Sequence, residues 1–410
     1  MNILYINHYA GSPHHGMEFR PYYLAREWTQ LGHTVWIVAA SYSHLRQVNV
    51  VSDQLYLHER IDGIRYTWCK TPTYQGNGIK RVYNIFVFLY RLKQLHKLFG
   101  FWKPDWVIAS STYPLDIFPA QSIAKSCCAK LIYEVHDLWP LSLIEVGGFS
   151  YFHPFIRLLQ YAENSAYRHA EKVISMLPNA KPHMLEHGMA EEKYHVIPNG
   201  INLAEWIKSK TRSILEDNHD IDFNELRKKY RFLLGYLGGH GSANALDDLL
   251  EAMTYLRHGS IGVILVGEGS QKNLLIAKAQ LLGLNNIYFY PAVPKKEVPA
   301  LLKRFDALYL GWKKLPIYRF GINPNKLFDY MMSGKPILHA CAFEHDPVKI
   351  ADCGLSVDAE NPQAIASGIE QILYLDQNTK KCMGFRGQNY VLKHHDYKKL
   401  AKLFLTDCQH

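Results

Sequence analysis

The chain has 410 residues, 48% of them hydrophobic and 20% charged, too long for one ordinary core, so two domains of about 200 residues each are expected. This composition excludes wholesale disorder, collagen-like repeats and coiled coil. The net charge of +9 is spread along the chain, 19 basic against 15 acidic residues through Gly200 and 27 against 22 beyond it, so no nucleic-acid-binding tail is indicated.

The opening strand, NILYINHYA, runs into a loop holding Gly11 and Gly16, and a helical pattern follows over residues 20–31. Strand, glycine loop and helix begin a doubly wound domain. Gly32 stops the helix, and HTVWIVAA supplies a second strand over residues 33–40. Between Asp62 and Asp105 there is no acid, while Arg65, Lys70, Lys80, Arg81, Arg91, Lys93, Lys97 and Lys103 are basic. Within that stretch Val82, Ile85, Leu89, Leu92 and Phe99 follow a helical core stripe, and Tyr83, Phe86, Val87 and Tyr90 make a second apolar surface. The segment reads as an interfacial helix on an anionic leaflet, against the alternative of a helix buried between the domains. DWVIAS, KLIYEVH and KVISM are further strands of a parallel sheet.

A charged stretch over residues 208–229 reads as connector and surface helix. A second α/β series then runs through FLLGYLGGHG, IGVILVGEGSQ, NIYFYPAV, DALYLGW, KPILHA and GLSVDA. Expected boundaries are 1–200 and 201–389, with residues 390–410 crossing back onto the first domain. Two such domains would put the carboxyl ends of both sheets at a cleft, where glycine loops and helix starts take anionic ligands. Neither loop has the GxGxxG fingerprint, so a nicotinamide enzyme is disfavoured. Seven cysteines, with only Cys127 and Cys128 close together, fit neither a disulfide framework nor a zinc site. The histidines, His14 and His15 included, show no HExxH spacing, and no metal is expected. With no apolar run of ~18 residues and no signal-peptide pattern, the chain is expected in the cytoplasm.

GMEFRPYYLAREWTQLGHTV, EVHDLWP, VIPNGIN, GYLGGHGSANALDDLLEAM, LVGEGSQ and NPNKLFDYMMSGKPIL occur in order over nearly the full length. Together they resemble a family 4 retaining glycosyltransferase with the GT-B fold, two Rossmann-like domains facing a cleft. GMEFRPYYLAREW with AASYSHLR and NPNKLFDYM is similar to bacterial O-antigen and capsule enzymes that add N-acetylfucosamine or related amino sugars to a lipid-linked precursor.

The resemblance implies roles by position. Lys326, after Asn323, Pro324 and Asn325, would hold the donor diphosphate with the amides of the helix start. Asp329 resembles the second acid of the family's paired-glutamate motif, which takes the ribose hydroxyls. The first acid has no counterpart, since residues 312–326 contain no carboxylate. The Arg and Lys that many relatives carry after the first strand of the second domain are also missing. Diphosphate binding would then lean on Lys326, on the loop Gly239, His240, Gly241 and on Arg319. Gly267, Glu268, Gly269 and Val293 would frame the nucleobase, and Gly16 would join the donor contacts. His136 would lie near the donor sugar and, with Glu18, Arg20 and Asp137, near the acceptor. Asn199 and Gly200 would set the hinge.

These positions imply retaining, metal-independent transfer from a UDP-sugar to a polyprenyl-diphosphate-linked saccharide, with no cofactor beyond the donor and with the chain peripheral on the cytoplasmic membrane. Two alternatives stay open. A UDP-sugar 2-epimerase of the same fold would turn over its donor without acceptor, and a non-catalytic membrane-surface protein would bind lipid without transfer.

Overall fold

The computed structural model describes residues 1–16, 19–44, 46–76, 78–95, 97, 99–211, 221–256 and 259–409. The chain divides into two compact units, Met1–Asn199 with Tyr397–His410, and Gly200–Asp396. No helix among the described residues is long and apolar enough to cross a membrane.

The first unit holds strands β1 (Asn2–Ile6), β2 (Thr34–Ala40), β3 (Tyr56–Ile61), β4 (Ile64–Cys69), β5 (Trp106–Ala109), β6 (Lys130–Val135), β7 (Lys172–Ser175) and β8 (Tyr194–Val196). They form one sheet in the order β3-β4-β2-β1-β5-β6-β7-β8. β1, β2, β5 and β6 are almost wholly buried, which is why they read as continuous apolar runs. The sheet is parallel except at its edge, where β3 pairs antiparallel with β4. That hairpin corrects the expectation of a purely parallel sheet. Its turn is Asp62–Gly63, both at positive φ, 50° and 82°, the Asp-Gly pair that tight hairpins favour.

Helix Arg20–Gln30 has proline in its first turn and is followed by Gly32 at φ 86°. Its Trp28 donates its indole N–H to the Ala401 carbonyl at 2.9 Å and meets Phe404 edge-on, so helix Tyr397–Gln409 closes this core. The return starts at Tyr397 rather than near Tyr390, because residues 390–394 complete helix Gln377–His394 of the second unit. Helix Ile79–Leu95 buries Ile85, Phe88, Leu92 and Leu95. Val82 and Leu89 of the expected stripe are only half-buried, and Phe88 takes the centre. Tyr83, Phe86 and Tyr90 remain 62%, 44% and 59% exposed.

The second unit holds β9 (Phe232–Leu237), β10 (Ile261–Val266), β11 (Ile287–Tyr290), β12 (Ala307–Gly311), β13 (Ile337–Cys341) and β14 (Gly354–Asp358). They form a parallel sheet in the order β11-β10-β9-β12-β13-β14. β9, β10, β12 and β13 are completely buried. The order reverses between β9 and β12, and between β1 and β5 in the first sheet. In open α/β sheets ligands bind outside the carboxyl ends of strands at such a reversal.

Candidate functional site

In the second unit the segments leaving β9 and β12 build a cradle. The loop after β9 lies on the loop after β10: Gly238 N–H donates to the Val266 carbonyl at 3.0 Å and His240 N–H to the Glu268 carbonyl at 2.8 Å. A Cβ on Gly267, at φ +153°, would stand 1.9 Å from the Gly238 oxygen, and one on Gly269 2.4 Å from the His240 oxygen. Both positions therefore demand glycine. The Gly239 carbonyl accepts from the Tyr236 hydroxyl at 2.7 Å and the Asn244 amide at 2.9 Å, and a Cβ at Gly239 or Gly241 would meet nothing closer than 3.8 Å.

Lys272 braces the same loop. Its ammonium donates to the carbonyls of Gly267 at 3.0 Å and Tyr290 at 3.1 Å and to the Glu268 carboxylate at 2.7 Å. His240 is wholly buried, and among the described residues neither ring nitrogen has a hydrogen-bond partner. Burial, aided by the Lys272 charge, pushes its pKa down to about 4, so the ring is neutral at physiological pH.

Helix Asn325–Ser333 starts after Pro324 in extended conformation and ends at left-handed Gly334. The amides of its first turn have no carbonyl within the helix to bond. Lys326 Nζ donates to the Tyr236 hydroxyl at 3.1 Å and to Asn244 Oδ1. It stands 5.0 Å from the centre of the Tyr236 ring and 5.4 Å from that of Trp312. Desolvation pushes its pKa down to about 7, and no carboxylate among the described residues pairs with it. A partly buried ammonium held only by neutral groups gains from an incoming anion.

Asp329 is buried on the same helix. Its Oδ1 accepts from the Trp206 indole at 3.3 Å and its Oδ2 pairs with Lys295. Asn323 and Val293 are half-buried and Asn325 is exposed. Arg319 is exposed, donates to the Pro316 carbonyl at 2.6 Å and lies over Phe320. Asp247 and Asp248 are each bonded to Lys313 at 3.0 Å. Tyr236, Asn244, Trp312, Trp206 and Lys295 escaped sequence reasoning as site residues. Asn244 alone carried a signal, as one of the few polar side chains in the glycine loop.

In the first unit Arg20 is buried. It pairs with Glu134 at 2.9 Å and donates to the carbonyls of Ile197 at 2.9 Å and Pro198 at 2.5 Å. This corrects its expected place among acceptor contacts, because its guanidinium is spent inside the fold. His136 Nε2 lies 2.8 Å from Ser110 Oγ and 3.2 Å from Glu134 Oε2. Asp137 is half-buried and its Oδ1 accepts from Leu138 N–H at 2.9 Å and the Ser142 hydroxyl at 2.6 Å, capping the turn before helix Leu141–Glu145. Gly16 closes a turn at φ +71° with its N–H on the Ser12 carbonyl. Glu18 lies outside the described residues. Near the end of β1, the Arg81 guanidinium donates to the Tyr9 hydroxyl at 3.0 Å and lies 5.6 Å from both the Tyr9 and Trp139 ring centres.

Among the described residues, two groups of potential metal ligands that sequence spacing missed are brought together, Glu163 with His183 and His187, and His339 with Cys341 and Asp346. Protein partners engage each of them. His183 Nε2 bonds Glu163 at 3.1 Å, His187 Nδ1 donates to the His183 carbonyl at 2.8 Å, and Asp346 takes bonds from His339, Ser356 and the Val348 amide.

Residues 14–205 match the family model described as Glycosyltransferase Family 4, and residues 217–389 the model described as Glycosyl transferases group 1. The chain is a glycosyltransferase. The glycosyltransferase is 23% identical over 316 residues to WcaI of Escherichia coli (strain K12), named for colanic acid biosynthesis, covering 75% of this chain and 74% of that one. It is 24% identical over 300 residues to TuaH of Bacillus subtilis (strain 168), named for teichuronic acid biosynthesis, covering 66% and 70%. Among solved structures, Anabaena Alr3699/HepE in complex with UDP superposes with a TM-score of 0.69 over 100% of both chains at 15% identity. The two parallel-sheet units are those of the GT-B fold.

Proposed function

We propose that this glycosyltransferase moves a sugar, an N-acetylated or 6-deoxy amino sugar, from a UDP-sugar to a polyprenyl-diphosphate-linked saccharide, with retained anomeric configuration, in cell-surface polysaccharide biosynthesis. The observation that carries the reading is the desolvated Lys326 ammonium beside an open helix start and a glycine loop. The UDP held by the HepE neighbour and the polysaccharide roles for which WcaI and TuaH are named support the donor and the setting.

The second unit holds the donor. Lys326, the first-turn amides of its helix and the backbone of residues 239–241 receive the diphosphate. Asp329 exchanges Lys295 for the ribose hydroxyls, and Gly267, Glu268, Gly269 and Val293 frame the base. In the reaction the bond between the anomeric carbon and the diphosphate oxygen breaks, and its electron pair leaves on UDP, where Lys326 meets the growing charge. The acceptor hydroxyl attacks from the same face and gives its proton to the departing phosphate, so positioning replaces a protein nucleophile.

The acceptor belongs to the first unit. The exposed aromatics of helix Ile79–Leu95, with Lys80 and Lys93 exposed on the same helix, suit an anionic leaflet in which a polyprenyl carrier is embedded. A product screen across UDP-, GDP- and dTDP-sugars with lipid-diphosphate acceptors tests the reading. A glycosylated lipid formed from a UDP-sugar supports it. UDP-sugar isomerisation without acceptor would indicate the 2-epimerase, and lipid binding with no turnover of any donor a non-catalytic protein.

A further inference from the structure

His339 on β13 is completely buried, and each of its ring nitrogens meets a partner inside the second unit. Strand register delivers both partners. On one side β12 runs parallel to β13 with Gly311 opposite Ala340, so Trp312, the next residue, comes beside His339 and donates its indole N–H to Nε2 at 2.9 Å. On the other side β14 puts Ser356 opposite His339. The Ser356 hydroxyl bonds Asp346 Oδ2, and Oδ1 takes His339 Nδ1 at 2.7 Å and the Val348 amide at 2.9 Å, capping helix Pro347–Ile350. Burial by itself would raise the pKa of Asp346, but the hydrogen bonds from His339, Ser356 and Val348 hold it at about 2. The group is ionised and can only accept.

These neighbours fix the proton on the imidazole. Asp346 requires a hydrogen on Nδ1, and an indole nitrogen can only donate, so Nε2 must offer its lone pair to Trp312. The Nδ1–H tautomer satisfies both, and a flipped ring would present a carbon to each. Trp312 is thereby anchored at one edge, with Tyr318 packed edge-on at 5.5 Å between centroids. The half-buried Lys326 ammonium lies over the indole, 5.4 Å from the ring centre, and Tyr236 of β9 presents a second ring at 5.0 Å. A ring attracts an ammonium over its face, so fixing the indole fixes one wall of the lysine's seat. A buried ion stabilises a fold poorly compared with apolar packing, and this one reaches, through a single imidazole, the indole beside Lys326.

We propose that His339 is a positioning residue for donor binding: held in one tautomer by Asp346, it fixes the Trp312 indole against Lys326 and so keeps that ammonium where the donor diphosphate arrives. The inference rests on the reading of Lys326 as the diphosphate contact, and every residue in it belongs to the second unit.

The test joins NMR of the full chain to calorimetric titration with UDP, carried out well below each protein's melting temperature. Long-range nitrogen–proton spectra of labelled histidine, with His339 assigned by its loss in His339→Gln, are expected to show wild-type His339 protonated on Nδ1. The Trp312 indole proton, assigned by its loss in Trp312→Phe, is expected downfield because it is bonded to nitrogen. His339→Leu has no acceptor for the indole and is expected to move that proton upfield and to weaken UDP binding about fivefold or more. His339→Gln, whose side-chain oxygen can accept the indole N–H, is expected to recover affinity to within about twofold of wild type. Trp312→Phe keeps a ring but has no N–H to anchor it, and is expected to weaken UDP about threefold or more. A role in stability alone predicts lower melting temperatures with wild-type UDP affinity throughout. Wild-type His339 protonated on Nε2 overturns the proposal even where neither histidine variant folds, and so does wild-type UDP affinity in folded His339→Leu or Trp312→Phe. Unchanged affinity in Lys326→Ala would instead overturn the donor reading, and the role of His339 with it, while the tautomer result would stand.

Discussion

The ammonium of Lys326 stands 5.4 Å from the centre of the Trp312 ring, joining the segment that leaves β12 to the helix that follows it. Trp312 is held in turn, its indole N–H on His339 Nε2 at 2.9 Å and the far side of that imidazole on Asp346 at 2.7 Å. A lysine so framed is partly shielded from water with no carboxylate among the described residues beside it, and desolvation lowers its pKa to about 7.

Donor affinity should therefore depend on pH. A UDP-sugar is a diphosphate diester with no ionisation of its own near neutrality, and its charge favours the ammonium form of Lys326. Below pH 7 the lysine is already charged and affinity should be flat. Above pH 7 each unit should weaken binding by up to about tenfold as a proton must be taken up. Calorimetry in buffers of different ionisation enthalpy should show that proton uptake at pH 8, and Lys326→Arg should remove it.

Glu134→Ala should destabilise the first unit by about 3–5 kcal/mol, because it strands the buried Arg20 charge. The sign of the pH effect follows from the lowered folded-state pKa. The stabilisation is fully present above the ordinary carboxyl pKa of 4.5 and is lost as pH falls below it. Urea unfolding of wild type and Glu134→Ala should thus differ most at neutral pH and converge in acid.

Transfer should survive EDTA. Lys326 and the helix-start amides are in place to neutralise the diphosphate, and the adjacent Asp247 and Asp248 are tied to Lys313 rather than offered to an ion. Activity lost in chelator and restored only by a divalent ion would identify a metal-dependent step.

Changing Tyr83, Phe86 and Tyr90 to Ser should abolish binding to anionic liposomes while leaving nucleotide affinity intact, since all three are exposed and none lies in the donor cradle. Wild-type binding should weaken with salt. Equal binding to neutral and anionic vesicles at low salt would point to a soluble acceptor.

The buried strands were legible in the sequence as apolar runs, and the first helix by its proline and Gly32. The β3–β4 hairpin carried a local signal in Asp62–Gly63, but the strand–helix alternation around it points to parallel crossovers. Arg20 was misread because its partner Glu134 lies 114 residues away, and a strand pattern does not say which buried carboxylate meets which helix start. Lys295 and Trp206 join Asp329 only through tertiary packing, so their spacing carried no signal. Phe88 displaced Val82 and Leu89 from the centre of the helix stripe because the face a helix turns inward is set by the sheet beneath it.

The account turns on Lys326 as the diphosphate contact, and titration of UDP-sugar into wild type and Lys326→Ala tests it most directly. Removing a desolvated ammonium should leave the fold intact, which a thermal melt checks. Loss of a charged phosphate contact should cost about 1.5–3 kcal/mol, roughly one to two powers of ten in affinity. A well-folded Lys326→Ala protein that binds UDP-sugar as tightly as wild type would contradict the donor site described above.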